Sequence, residues 1–319
     1  MASLGVTFAG LEFRNPILSA SGTFGHGLEM RHMVPPQRLG GLVSKTVTLA
    51  PRPGHPMPRT CETSAGFLNS IGLENRGLAH YVEHTLPEVA DADTLIITNI
   101  GGESVEDYAE LAAALDERPE IDAFEVNLSC PNVDGGRLRF STDPKVTEAA
   151  IRAVREATRK PIFAKLSPNV TRIDDIARAA EAGGADGITA INTVLGMGVD
   201  WRSRRPGLNT VIGGYSGVGI KPIALRCAYE CAQAVDIPVI GCGGIYSASD
   251  VLEFLVVGCR AVQVGTASFS DPGLLGELPG ELERLLDDAG TASVVEVIGS
   301  LLAPHPAAQV PAEREGGQA

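Results

Sequence analysis

Eight short runs rich in Val, Ile, Leu and Ala recur along the chain, each spaced from the next by helical patterns of roughly 12 to 20 residues. They are Pro16 to Ser21, Gly41 to Thr48, Thr94 to Ile100, Ala123 to Leu128, Pro161 to Leu166, Gly187 to Asn192, Pro238 to Gly243 and Ala261 to Gly265. A continuous apolar run marks a strand covered on both faces, and the alternation with helices marks parallel strands joined by crossovers. Eight such units within about 290 residues predict an α/β fold, the (β/α)8 TIM barrel. An open doubly wound sheet would show a G-x-G-x-x-G turn after its first strand, and none follows here.

Val6 to Phe13 reads as an N-terminal β-hairpin turning at Ala9-Gly10, placed to plug the barrel floor. Two connections, Ala50 to Arg76 and Leu195 to Pro222, are too long for plain turns. Both follow strands, so both are expected as long loops on the catalytic face. Helix punctuation fits the same plan: Gly183-Gly184 closes one helix and Ser247-Ala-Ser-Asp250 opens another. Residues 1–302 are expected to form a single barrel domain, and the Pro-containing, aperiodic residues 303–319 a disordered tail.

Of the 319 residues 44% are apolar and 20% charged, which excludes bulk disorder and a collagen-like chain. A net charge of −13 with no local basic patch argues against nucleic acid as a partner. The six cysteines include no C-x-x-C pair and no zinc or iron-sulfur spacing, so they read as reduced thiols and no metal site is expected. The N-terminus lacks the order of a signal peptide, and no uncharged apolar run reaches the roughly 18 residues of a membrane span. A cytoplasmic location, away from the membrane, is the expectation.

A barrel carries its chemistry at the C-terminal ends of its strands, and those ends are polar throughout. They hold Ser21, Lys45-Thr46, Asn99, Asn127, Lys165, Asn192-Thr193, Gly243-Gly244 and Gly265-Thr266. The chain has only five lysines, yet Lys45 and Lys165 both lie inside apolar runs, where lysine is rarely buried without a partner. Two cations converging on one mouth suit an anionic or electron-rich ligand; the plainer alternative is that each snorkels to a carboxylate at the rim. Gly241-Cys-Gly-Gly-Ile245 and Val264-Gly-Thr-Ala267 follow the last two strands, where backbone N–H groups of many barrels bind phosphate.

Cys130, in Asn127-Leu-Ser-Cys-Pro-Asn132, follows the fourth strand in a Gly-rich, polar segment suited to a lid, and is the candidate nucleophile or general base. The other five cysteines are assigned to helices or packed turns as small hydrophobes. His80 and His84 have i, i+4 spacing but no third ligand, so a solvated helix face is the better reading. Arg202, Arg204 and Arg205 could meet a phosphate or simply lie on a surface loop.

Taken together, Ala20-Ser-Gly-Thr-Phe-Gly25, Ser44-Lys-Thr-Val-Thr48, Asn69-Ser-Ile-Gly-Leu-Glu-Asn75, Asn127-Leu-Ser-Cys-Pro-Asn132, Asn192-Thr-Val194, Gly241-Cys-Gly-Gly-Ile245 and Val264-Gly-Thr-Ala267 form a recognisable series. From about residue 4 to residue 290 the chain resembles the class 1 dihydroorotate dehydrogenases. Asn192-Thr-Val-Leu-Gly-Met197, Arg204-Arg-Pro206, Ile220-Lys-Pro-Ile-Ala-Leu225 and Asp236-Ile-Pro238 resemble the NAD-linked type, the B-type catalytic subunit. Ser141 and Ser268 depart from the pattern, which would place glycine and asparagine there.

The resemblance implies oxidation of (S)-dihydroorotate to orotate in pyrimidine biosynthesis, with FMN at the barrel mouth. It implies that Cys130 takes a proton from substrate C5 while hydride leaves C6. Lys45, Asn69, Ser70, Ile71, Gly72, Leu73, Asn127, Asn192 and Thr193 would hold the substrate. Ser21, Lys45, Thr46, Asn99, Asn127, Lys165, Ile191 and Gly217 would contact the flavin, and Gly243, Gly244, Gly265 and Thr266 its phosphate. It further implies a partner subunit carrying FAD and [2Fe-2S], around a homodimer core of a heterotetramer. The chain itself has neither a second nucleotide-binding pattern nor a cysteine cluster.

A thiol of pKa about 8.5, lowered by a nearby cation, suits removal of a proton beside a carbonyl. The competing readings are a fumarate-linked class 1 enzyme without a partner, a lyase using Lys165 as a Schiff base, a flavin-dependent tRNA reductase and a noncatalytic flavin-binding barrel. Charge −13 and the lack of an RNA-binding appendage weigh against the tRNA enzyme.

Overall fold

Strands form where the apolar runs predict them. In the computed structural model, which describes residues 1–128 and 140–302, these are β1 (Ile17–Ser19), β2 (Gly41–Val43), β3 (Leu95–Ile100), β4 (Ala123–Asn127), β5 (Ile162–Leu166), β6 (Gly187–Ala190), β7 (Val239–Cys242) and β8 (Cys259–Val264). They close a barrel in which every neighbour is parallel and sequential. Val262 beside Ile17 joins the last strand to the first. The continuous apolar composition follows from burial on both faces, because the helices cover the outside and side chains fill the inside.

Crossover helices bury one stripe each. Pro144–Ala157 turns Thr147, Ala150, Ile151 and Val154 inward at helical spacing, with Asp143 capping its start. Ser247 accepts from the Asp250 N–H and opens Ala248–Val256; Gly183 and Gly184, the latter at φ 98°, end Ile173–Ala182. The crossover between β1 and β2 is an exception, holding only a single 3-10 turn, Pro36–Arg38. Gly22, Gly25 and Gly27 all take positive φ there and prolines follow at 35 and 36, so no α-helix can run through.

The hairpin forms as expected: Val6–Phe8 pairs with Leu11–Phe13 across a turn in which Ala9 and Gly10 both have positive φ. Phe8 stacks on Phe13 with ring centroids 4.2 Å apart and meets Phe163 of β5 edge-on at 6.0 Å. That is the plug of the floor.

The two long connections are not independent loops. Val194–Met197, Ile212–Ser216, Gly66–Asn69 and Thr60–Thr63 pair into one antiparallel sheet that ties the connection after β2 to the one after β6. A methyl group at Gly213 would lie 2.5 Å from the Asn69 carbonyl oxygen, and one at Gly214 2.1 Å from Thr193 Oγ1, so the sheet requires glycine at both. Arg205 pairs with Asp200 in a second, two-residue hairpin, on which Arg202 lies 4.9 Å over the Trp201 ring. Arg202, Arg204 and Arg205 are all exposed, as a surface loop requires.

Among the described residues no helix is long and apolar enough to cross a membrane. The described cysteines are free thiols, but Cys242 and Cys259 lie on barrel strands and Cys61 on the antiparallel sheet, not on helices or turns. An apolar strand interior accepts a thiol as readily as a helix does.

Candidate active site

The expected site residues within the described chain gather at one end of the barrel. Ser21, Lys45-Thr46, Asn99, Asn127, Lys165, Ile191 to Thr193, Gly243-Gly244 and Gly265-Thr266 stand at or just past the C-terminal ends of successive strands. Asn127 Nδ2 donates to Thr46 Oγ1 at 3.4 Å, and Asn192 Nδ2 to Asn127 Oδ1 at 3.2 Å. Asn192 Oδ1 in turn accepts from the Thr193 N–H at 2.8 Å. These bonds link β2, β4 and the segment after β6 into one polar face. Asn169, absent from the sequence reading, orders that segment: Nδ2 donates to the Thr193 carbonyl at 3.1 Å and Oδ1 accepts from the Leu195 N–H at 2.8 Å. Its signal was the Ser-Pro-Asn turn after β5, which sequence alone does not tell from an ordinary turn.

The 69–73 segment enters from the antiparallel sheet. Asn69 Nδ2 reaches the Gly214 carbonyl at 3.4 Å, while Gly72 at φ 76° and Leu73 at φ 55° turn the chain. Asn75 pins that turn, donating to the Leu73 carbonyl at 2.7 Å and accepting from the Gly77 N–H at 2.8 Å. A methyl group at Gly101 would lie 2.7 Å from Thr46 and 3.7 Å from Leu73, so Leu73 reaches the residues at the end of β2. Ile71 is half-buried, and its carbonyl accepts from the His55 N–H at 2.9 Å. Ser70 is buried, and its Oγ has no partner among the described residues.

The two lysines differ. Lys45 is half-buried and makes no ion pair among the described residues; burial holds it below the ordinary lysine pKa, with Glu74 partly offsetting this. Lys165 is buried and paired: Nζ lies 3.4 Å from Glu125 Oε1 and donates to Gln263 Oε1 at 2.8 Å. Burial is the largest influence and works against its ammonium, but the charge and hydrogen bond of Glu125, with Cys242, together hold the lysine above its ordinary pKa. The snorkelling alternative fails for Lys165, since its partner is buried in the barrel interior and not at the rim. A lysine held charged is also a poor Schiff-base nucleophile. Glu125 was missed in the sequence, although a carboxylate within Ala-Phe-Glu-Val-Asn is as unexpected in an apolar strand as the lysines are.

The expected glycines form a cradle. Gly243 and Gly244 have φ of 127° and 76°, and a methyl at Gly244 would fall 2.6 Å from the Lys221 nitrogen. One at Gly217, with φ 104°, would meet the Gly66 Cα at 2.6 Å. The N–H groups of Gly243, Gly244, Gly265 and Thr266 donate to no acceptor among the described residues. Thr266 Oγ1 donates to Ser216 Oγ at 2.8 Å, tying the loop after β8 to the antiparallel sheet. Cys242 and Gln263 are paired in register, so the two loops leave adjacent strand ends. Such a set of uncommitted N–H groups suits a phosphate.

A family model described as dihydroorotate dehydrogenase matches residues 3–286. The chain belongs to the dihydroorotate dehydrogenase family. Its relatives include the dihydroorotate dehydrogenase B (NAD(+)), catalytic subunit of Geobacter sulfurreducens, 49% identical over 93% of this chain and 98% of the relative. The protein of the same name from Pelobacter propionicus is 47% identical over 93% of this chain and 97% of the relative. That from Bacteroides thetaiotaomicron is 45% identical over 94% and 99%.

Within this dihydroorotate dehydrogenase fold, Cys130 lies outside the described residues. Ser268, one of the two departures from the family pattern, donates through Oγ to the Gly265 carbonyl at 2.8 Å and so braces the cradle. Ser141 is buried beside Phe140, whose ring meets Tyr108 edge-on at 5.3 Å. His80 and His84 face each other with ring centroids 4.7 Å apart, and His80 Nε2 lies 3.0 Å from Arg76 Nη1. No group of three metal-ligating side chains occurs among the described residues.

Proposed function

We propose that this chain oxidises (S)-dihydroorotate to orotate in pyrimidine biosynthesis, as the catalytic subunit of an NAD-linked enzyme. The observation that carries the reading is the family membership together with one polar mouth that combines a half-buried lysine, an amide chain and an uncommitted N–H cradle. The residues fit FMN. Gly243, Gly244, Gly265 and Thr266 would take its phosphate; Lys165, Asn99 and Thr46 would line its ring, where Asn99 Oδ1 is buried without a partner among the described residues. Ser21, Ile191 and Gly217 would complete the flavin contacts. FMN, when bound, supplies an acceptor for the hydride that leaves C6 of the substrate.

The chain's own residues do the rest. Lys45 binds the substrate carboxylate, and an anion there offsets the desolvation of its ammonium. Asn69, Asn127, Asn192 and Thr193 match the ring's carbonyl and N–H groups, with Ser70, Ile71, Gly72 and Leu73 shaping the same pocket. Cys130, three residues past β4 in sequence, takes the proton from C5. The other lysine, Lys165, is held charged by Glu125 and would favour negative charge on a flavin ring bound beside it.

Electrons pass onward to NAD+ through an electron-transfer subunit carrying FAD and [2Fe-2S], in a heterotetramer built on a homodimer of this chain. The name of the relatives, a catalytic subunit linked to NAD(+), favours this over the fumarate-linked, partner-free alternative. A cytoplasmic location follows from that role. The test is the visible spectrum of the purified chain: yellow flavin absorbance that dihydroorotate bleaches without oxygen supports the reading. A colourless chain, or a yellow one that dihydroorotate leaves unchanged, overturns it.

A further inference from the structure

Glu125 is fully buried at the centre of the barrel, and four other strands send donors to it. Its Oε1 accepts from Asn99 Nδ2 of β3 at 2.7 Å and lies 3.4 Å from Lys165 Nζ of β5. Its Oε2 accepts from Thr189 Oγ1 of β6 at 3.0 Å and from Gln263 Nε2 of β8. Gln263 then accepts from Lys165, so the ammonium is held from two sides. We propose that Glu125 is a positioning residue, fixing Lys165 as the donor and the Asn99 carbonyl as the acceptor that a flavin ring requires.

The argument is one of donors and acceptors. A carboxylate accepts only, so the Asn99 amide must turn Nδ2 toward it. Oδ1 is thereby committed to the opposite side, and it is buried there without a partner among the described residues. A flavin's pyrimidine edge carries one donor, N3–H, flanked by acceptors at O2 and O4. An acceptor from Asn99 suits N3–H and a donor from Lys165 suits a flanking oxygen; a flipped Asn99 amide would offer N3–H no acceptor. The inference rests on the flavin reading above and adds the residue that sets the polarity of the ring site.

Glu125→Gln keeps the volume but offers one acceptor oxygen where two now serve four donors, and it removes the charge facing Lys165. Among the described residues the other titratable group facing Lys165 is Cys242, a thiol that burial keeps protonated. The experiment compares flavin-loaded complexes of wild type, E125Q and E125Q/K165M by flavin reduction potential between about pH 6 and 10, and by FMN affinity. E125Q should introduce a break above which the potential falls more steeply with pH, as Lys165 begins to lose its proton. FMN affinity should drop about 10- to 100-fold, and the break should vanish in E125Q/K165M. An E125Q complex whose potential tracks pH as wild type does overturns the proposal. If E125Q alone does not fold, the charge-neutral E125Q/K165M protein decides against K165M: a further loss of FMN affinity supports the proposal and an unchanged affinity overturns it. A wild-type chain that binds no FMN would instead sink the flavin reading itself.

Discussion

The floor and the mouth of this barrel are built on the same eight strands and obey opposite rules. At the floor Phe8, Phe13 and Phe163 are buried in ring-to-ring contact, and the two strands of the hairpin pair with each other. At the mouth polar atoms are left unmatched: among the described residues Asn99 Oδ1 and Ser70 Oγ are buried without partners and Lys45 lacks an ion pair. On β5 the change takes two residues, from Phe163 to Lys165. Unmatched buried groups cost free energy, so the mouth draws on stability made elsewhere, and a ligand is what repairs it.

The largest effect should come from the mouth. If Cys130 is the base, Cys130→Ala should retain its flavin yet slow reduction by dihydroorotate by about 10²- to 10⁴-fold, and Cys130→Ser should need higher pH. Stopped-flow reduction measures this, and an undiminished rate removes the assignment. The matching lesion at the floor is Phe163→Ala, expected to cost about 3 to 5 kcal/mol of stability because it leaves a cavity beneath the hairpin. Chemical denaturation measures that loss. A lesion at the floor that slowed flavin reduction as Cys130→Ala does would show that the two ends are not separable.

The floor was far more legible in the sequence than the mouth. Apolar runs locate all eight strands, and alternation around Ala9-Gly10 locates the hairpin, because burial and turn chemistry are local. The residues of the mouth were also readable singly, as polar types at strand ends. What was hidden was their joining. The sheet across the mouth pairs Asn69 with Gly214, 145 positions apart, through short Gly-containing strands with no alternating pattern. Glu125 was hidden for a different reason: a carboxylate in a strand acquires meaning only when Lys165, Gln263, Thr189 and Asn99 are seen around it. The first crossover shows the reverse, since the glycines and prolines that forbid its helix stand openly in the sequence.

A smaller effect concerns the ligand that completes the mouth. Burial lowers the pKa of Lys45 from 10.5, so between its folded value and 10.5 the unfolded chain binds the additional proton. Stability should therefore rise with pH through that window, and the cost of burying the charge is fully present below it. An anion bound at Lys45 has the opposite dependence. Orotate should bind best below the lowered pKa and lose up to about tenfold in affinity per pH unit above it. Titration of the flavin spectrum with orotate across pH, in wild type and Lys45→Met, measures this. A flat wild-type profile would take the carboxylate away from Lys45.

The smallest effect isolates the floor. Gly10 has φ 75°, and a methyl group there would meet nothing within 4 Å, so Gly10→Ala adds no clash. Only the left-handed backbone is penalised, by about 1 kcal/mol. Gly10→Asn should cost less, because asparagine tolerates that conformation. Both changes should shift the denaturation midpoint in that order and leave FMN affinity and the rate of reduction by dihydroorotate as in wild type. A changed rate would mean that the hairpin transmits strain through Phe8 and Phe163 to Lys165, two residues further along β5. The separation of a stabilising floor from an unsatisfied mouth would then fail at its closest point.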